Sequence, residues 1–256
     1  VGTGLAAGSN LNIGNLGSKF LIPLLVSPVM AVVITVLVYP FLRIWRQRLG
    51  ITRDVCLCVG KETLESVPGN CHAVALQRAQ YLSATMGTVV TCESRYQGNV
   101  LGVSAGQSLD KLHFLSSGIV SFARGLNDTP KIAALLLLAP AFGVTASLVA
   151  VGLVMALGGL LSARRVAETM SNNITTMNHG QGFTANVITG VIVIGASRLG
   201  LPVSTTHVSC GSLFGIGAVS GGAKVKTILT ILFAWITTLP LAAGIAAWVY
   251  YIANSL

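Results

Sequence analysis

Residues 20–42, 132–163 and 227–256 contain no Asp, Glu, Lys or Arg. Each run exceeds the ~20 residues that a helix needs to cross the hydrocarbon core of a bilayer, where the backbone has to satisfy its own hydrogen bonds. Residues 169–197 and 199–223 are charge-free as well, with one histidine each. The pattern predicts about five crossings, with a broken segment before Pro140. Only 9% of residues are charged and 53% are hydrophobic, which excludes an ordinary soluble domain. The expected fold class is an all-α integral membrane protein, a polytopic helical bundle.

The formal net charge of +9 does not describe a nucleic-acid surface, because the basic residues form no single aromatic-studded patch. They sit at the ends of the apolar runs instead. Arg43, Arg46, Arg48 and Arg53 follow the first, Arg164 and Arg165 end the next, and Lys224 and Lys226 precede the last. The positive-inside rule makes these places cytoplasmic and puts both termini outside. A multi-pass location in the cell membrane follows, in a plasma or bacterial inner membrane. No signal-peptide pattern opens the chain.

The opening residues recur near the end: Gly2-x-Gly4-x-x-x-Gly8 matches Gly215-x-Gly217-x-x-x-Gly221, and Pro28 aligns with Pro240. With the basic residues fixing direction, the two copies run oppositely, as in the inverted repeats of many secondary transporters. Three regions are expected: residues 1–42 as the end of a first transmembrane repeat, 43–113 as a small cytoplasmic insertion, and 114–256 as the second repeat. On this reading the chain is expected to be part of a longer protein. Within the insertion, residues 88–93 read as a strand and 72–82 as a helix, around a polar Pro68-Gly69-Asn70 turn.

Two polar clusters interrupt the apolar runs, as broken or re-entrant helices lining a solute path would. The first is FARGLNDTPK, residues 122–131. Ionisable groups at membrane depth are costly and point to function. Pro130 suits the first turn of a helix, so Asp128 and Thr129 are expected to cap a half-helix whose positive end attracts an anion. Asp128 repels that anion unless a cation or proton joins it, which is the electrostatic basis of symport. The competing reading has Asp128 only capping the helix or pairing with Arg124 or Lys131. The second cluster is LPVSTTH, residues 201–207. There Ser204, Thr205 and Thr206 can donate to oxyanion oxygens, or Ser204 can simply cap a helix.

Other motifs carry less. Ser-Thr-Thr-His lacks the nucleophile elbow of a hydrolase, and no enzyme activity is expected. The glycines after it have the wrong spacing for a dinucleotide fold. Gly211-x3-Gly215 and Gly217-x3-Gly221 read as close helix packing. Cys56, Cys58, Cys71 and Cys92 fit no standard zinc spacing and are expected as reduced thiols. Cys210 is expected to be packing. Asn186 is either interhelical glue or a pathway residue. No metal or organic cofactor is expected.

Taken together, GLNDTPK, GFTAN and GLPVSTTHVSCGSLFGIG resemble, in this order, the second half of the inorganic phosphate transporter family. The likeness covers residues 114–256 well, 1–42 as the end of a first half, and the insertion poorly. It implies two inverted repeats, each giving one Asn-Asp and one Ser-Thr-Thr motif to a central site. On that resemblance Asn127, Asp128, Thr129, Ser204, Thr205 and Thr206 bind phosphate, and Asp128, Asn127 and Asn186 serve the coupling ion. Two departures bear on ion choice: Thr129, Pro130 and Lys131 follow the Asn-Asp where the family often has small residues and a second Asn, and Asn186 stands where some members have glutamate.

The expected function is secondary active transport of inorganic phosphate with coupled H+ or Na+, by alternating access. The alternatives are a sulfate or other oxyanion permease, and a non-transporting membrane fragment or subunit. Phosphate can donate a proton near neutral pH and sulfate cannot, so an acceptor such as Asp128 favours phosphate. The partners are phosphate and the lipid bilayer, without nucleic acid, and a homo-oligomer stays open.

Overall fold

The computed structural model describes residues 2–8, 12–52, 54–63, 80–88, 91, 100–136 and 143–255. Two compact units emerge, Val1–Pro40 with Ser116–Leu256, and Phe41–Leu115. The helices are α1 (Gly2–Ala6), α2 (Ile13–Leu16), α3 (Ile22–Arg48), α4 (Ala105–Leu136), α5 (Val144–Glu168), α6 (His179–Arg198), α7 (Thr205–Ser220) and α8 (Val225–Ser255). A π-helical turn at Gly17–Leu21 joins α2 to α3, and another at Thr169–Asn173 ends α5.

Among the described residues, four helical stretches are long and apolar enough to cross a membrane: Gly14–Arg48, Val144–Asn173, His179–Arg198 and Val225–Ser255. The chain is an all-α membrane protein. Its large aliphatic side chains point outward, Leu160 at 81%, Leu161 at 86% and Ile236 at 73% exposure. That arrangement is ruinous in water and natural in lipid, where tails are as apolar as leucine.

One part of the interior is built from small residues, beside a second cluster that holds Ile174, Leu213 and Ile216. Ala31, Ala123, Val193, Val203 and Val208 form one buried cluster. Gly211 of α7 lies against Pro28 and Ala31 of α3, and a Cβ on Gly215 would come within 2.7 Å of the Thr35 Cβ. The expected close packing thus holds for Gly211 and Gly215, and the rising register makes α3 and α7 parallel. Gly217 is close-packed too, but against Thr175 and Ala223, which lie outside the helices, so the expected helix packing does not hold for Gly217 or Gly221. Gly221 has φ 74° and ends α7 in the left-handed conformation that glycine adopts without a steric penalty. Cys210 is buried and free, as expected of a packing residue.

Helices α4 and α6 are parallel as well. Asn186 Nδ2 donates to Ser116 Oγ at 3.1 Å, Gly190 meets Ile119, and Ser197 Oγ lies 3.4 Å from Asn127 Oδ1. Helix α6 starts with a capping box, in which Asn178 accepts from the Gln181 amide and Gln181 from the Asn178 amide. It ends on Gly200 (φ 66°), with Leu201 N donating to Ala196 O and Gly200 N to Ser197 O. These two bonds make a Schellman turn, which reverses the chain into Pro202 and α7.

Several expectations are corrected. No half-helix starts at Pro130: α4 runs unbroken through it, so Asp128 and Thr129 lie within the helix and cap nothing. Proline costs one backbone bond there, which neighbouring groups in a membrane bundle can make up. Residues 132–163 are not one crossing, since they are divided between α4 and α5. Pro140 lies outside the described residues.

In the smaller unit, β1 (Val55–Thr63) pairs antiparallel with both β2 (Gln80–Thr88) and β3 (Val100–Ser104). Residues 80–82 are therefore strand rather than helix, and residues 72–79 lie outside the described residues. Of the expected strand at 88–93, Thr88 is strand and Thr91 is not, and residues 89, 90, 92 and 93 lie outside the described residues. Thr88 ends β2, and Thr91 caps back to it, its Oγ1 accepting from Thr88 N at 2.8 Å. Cys56 is buried and free. Cys58, also buried, is disulfide-bonded, against the expectation of a reduced thiol. Cys71, His72 and Cys92 lie outside the described residues.

Candidate functional site

The polar residues of α4 converge on the entry to α7. Because α4 is continuous, Arg124, Asp128 and Lys131 stand at spacings of four and three and share one face. The Schellman turn after α6 brings Val203 and the first turn of α7 to that face.

The contacts form one connected set. Asn127, buried, donates through Nδ2 to Asp128 Oδ1 at 2.9 Å and to the Val203 carbonyl at 2.8 Å, which uses both of its amide protons. The Thr205 hydroxyl donates to Asp128 Oδ2 at 3.2 Å and accepts from Arg124 Nε at 3.2 Å. Arg124 Nη2 donates to Thr206 Oγ1 at 3.0 Å. Lys131 Nζ donates to the Val203 carbonyl at 2.8 Å and stands 3.6 Å from Asp128 Oδ1. Asp128 thus lies between two cations, Arg124 and Lys131.

At the start of α7, Ser204 is the N-cap and its side chain accepts from His207 N at 3.3 Å. Val208 N bonds the Ser204 carbonyl. The amides of Thr205 and Thr206 belong to the first turn, whose N–H groups have no acceptor within the helix. The helix dipole adds partial positive charge at the same end. The His207 ring packs on Trp235, with centroids 3.9 Å apart. Beside the cluster lies a cavity of ≈ 360 Å³, lined in part by Lys19, Asn127, Pro130, Lys131, Ser197 and Pro202.

Asn127, Asp128, Thr205 and Thr206 are therefore brought together, with Ser204 adjacent as the cap. Thr129 is not among them, since its hydroxyl faces Met155 Sδ at 3.6 Å. Nor is Asn186. It bonds Ser116, eleven residues before Asn127, a helical distance of about 16 Å. Arg124, Lys131, Ser197 and the Val203 carbonyl are additions to the sequence-derived set. The spacing of Arg124, Asp128 and Lys131 was the available signal for the two cations. It was masked by expecting a helix break at Pro130.

An arrangement of this kind offers an oxyanion guanidinium, ammonium, hydroxyl and backbone donors, with one carboxylate that can take a proton. The sequence profile of the phosphate transporter family matches residues 1–246. The low-affinity inorganic phosphate transporters PitB and PitA of Escherichia coli (strain K12) are each 38% identical, over 43% and 41% of this chain and 22% of their own lengths. A Rhizobium meliloti (strain 1021) protein described as a "Probable low-affinity inorganic phosphate transporter" is 35% identical over 56% of this chain and 46% of its own. The chain thus spans less than half the length of these relatives. No solved structure matches it. The match over nearly the whole sequence places the chain in the phosphate transporter family.

Proposed function

We propose that this protein moves inorganic phosphate across a cell membrane as a secondary active transporter with a coupled cation, by alternating access. The observation that carries the reading is the cluster joining Arg124, Asn127, Asp128 and Lys131 of α4 to Thr205 and Thr206 of α7. Phosphate oxygens would take the place of the contacts these donors now make with one another. Asp128 would hold the coupled proton or cation while the anion is bound. Ser204 acts through the cap it gives α7. Thr129 and Asn186 are given no ligand role, because their hydrogen bonds lead elsewhere.

Two further features fit the reading. Gly8 and Gly221, equivalent in the suggested repeat, are both left-handed residues. In addition, α1 packs on α8 through Gly2 and Ala243, as α7 packs on α3 through Gly215 and Thr35. An exchange of partners between two copies is what inverted repeats produce. Residues 1–42 and 114–256 would be parts of the two repeats, and 43–113 an insertion between them. The parallel course of α3 and α7 suits a topology with both termini outside and that insertion cytoplasmic. The Cys58 disulfide argues the other way for the insertion, since disulfides persist in oxidising compartments.

The test is uptake of radiolabelled phosphate into proteoliposomes carrying the full-length protein, under imposed Na+ or H+ gradients, with sulfate as competitor. Gradient-driven uptake that survives excess sulfate and is abolished by Asp128→Asn is the expected result. Uptake suppressed by sulfate would instead assign the site to that anion. No uptake under either gradient, with folded protein, would overturn transport.

A further inference from the structure

We infer that Lys131 is a resident counter-cation of the phosphate site, occupying the position beside Asp128 that a mobile Na+ would otherwise need, so that phosphate binds without sodium. The inference rests on the phosphate-transport reading and concerns one of its open terms, whether sodium is needed.

A sodium ion is held by oxygen atoms, above all carboxylates and main-chain carbonyls, as other hard cations are. Here one such pair converges, Asp128 Oδ1 and the Val203 carbonyl, and the Lys131 ammonium already sits between them at 3.6 and 2.8 Å. Further proton donors stand around these oxygens. Asn127 Nδ2 donates to both Asp128 Oδ1 and Val203 O, and Thr205 Oγ1 donates to Asp128 Oδ2. The Val203 carbonyl accepts two bonds, its full complement. A bare cation seated between Asp128 Oδ1 and the Val203 carbonyl would have to displace the ammonium and turn the Asn127 amide away.

Charge balance points the same way. Two fixed cations, Arg124 and Lys131, stand with one carboxylate, which leaves the cluster net positive before any ion arrives. An oxyanion entering the adjacent cavity meets a site that is already net positive. A sodium ion would meet repulsion from the ammonium next to it. An i,i+3 pair of this kind on a water-exposed helix would contribute little. Two features set this pair apart from that case: the second bond, from Lys131 across to the carbonyl of Val203, and the place of Lys131 in the cavity wall.

The decisive experiment is binding of radiolabelled phosphate to the purified full-length protein, titrated with NaCl against choline chloride at constant ionic strength. Radiolabelled sodium binding is measured in parallel. Equal phosphate binding in both salts, and no saturable sodium binding, is the expected result for the wild type. Lys131→Arg, which keeps the charge, should stay independent of sodium. Lys131→Met should lose about tenfold in phosphate affinity in choline, recover with Na+, and bind radiolabelled sodium. A merely structural role for Lys131 would not create that sodium requirement.

Saturable enhancement of wild-type phosphate binding by Na+ would overturn the inference and leave phosphate transport standing. So would a folded Lys131→Met variant that binds phosphate as the wild type does in choline. Absence of phosphate binding in either salt by folded wild-type protein would overturn both readings. The wild-type titration decides the matter even if Lys131→Met does not fold.

Discussion

Helices α7 and α8 follow one another in the chain and are built on opposite plans. Helix α7 has 16 residues, nine of them buried, among them three glycines. Helix α8 has 31 residues and none buried. Both are strongly apolar, so hydrophobicity does not explain the difference. What separates them is side-chain size and the presence of polar groups. Helix α7 carries Gly211 and Gly215, which allow α3 to approach, and Ser212, whose hydroxyl meets Thr189 of α6 at 3.2 Å. Helix α8 presents Leu, Ile, Phe and Trp outward, which suits a lipid-facing surface. In a bilayer no hydrophobic force separates inside from outside, so close packing and hydrogen bonds choose the inner helices.

That contrast can be tested at several strengths. The largest effect is expected where a charged group is shared between helices. Arg124→Gln removes the bonds to Thr205 and Thr206, and phosphate binding should weaken about a hundredfold, whereas Arg165→Gln, at the exposed end of α5, should leave the binding isotherm unchanged. Next comes packing. Gly215→Leu should destabilise the protein by about 3 kcal/mol through overpacking against Thr35, read as a fall in the thermal midpoint in detergent. Gly244→Leu on α8, where a Cβ meets nothing within 4 Å, is the control and should keep the wild-type midpoint.

A smaller effect is expected at Thr205. Thr205→Val preserves the shape but removes the hydroxyl that links Asp128 to Arg124, and should cost about tenfold in phosphate affinity with unaltered stability. Smallest of all is Ile236→Ala on the outer face of α8, expected within about 0.5 kcal/mol of wild type. A large loss of stability there would mean that another molecule covers α8, and would break the comparison.

Much of this architecture was legible in the sequence. Charge-free runs marked α3 and α8, because a bilayer forbids both charges and unsatisfied backbone over that length, while the run at 132–163 merged the end of α4 with α5. The helix start at Ser204 was also legible, since a hydroxyl cap after proline is a local signal that needs no tertiary contact. The Asn127–Asp128 and Thr205–Thr206 motifs were recognisable as a pair. Their local geometry was not. A proline read in isolation suggests a helix start, yet Pro130 lies inside α4, whose continuity depends on the helices packed around it. The Cys58 disulfide was not legible either, because spacing along the chain does not say which sulfurs meet in space.

The sequence by itself determined the class of the protein, because solvent exclusion acts on each segment independently and leaves its mark in composition. It also determined the family, and which two short motifs carry the polar groups. Only the tertiary structure decided which of those groups meet. It placed Arg124 and Lys131 on either side of Asp128, brought the Val203 carbonyl to Asn127, and sent Thr129 and Asn186 to other partners. Those outcomes depend on helix continuity, on the turn at Gly200 and on which helices run parallel, and all three are properties of the packed chain rather than of any segment.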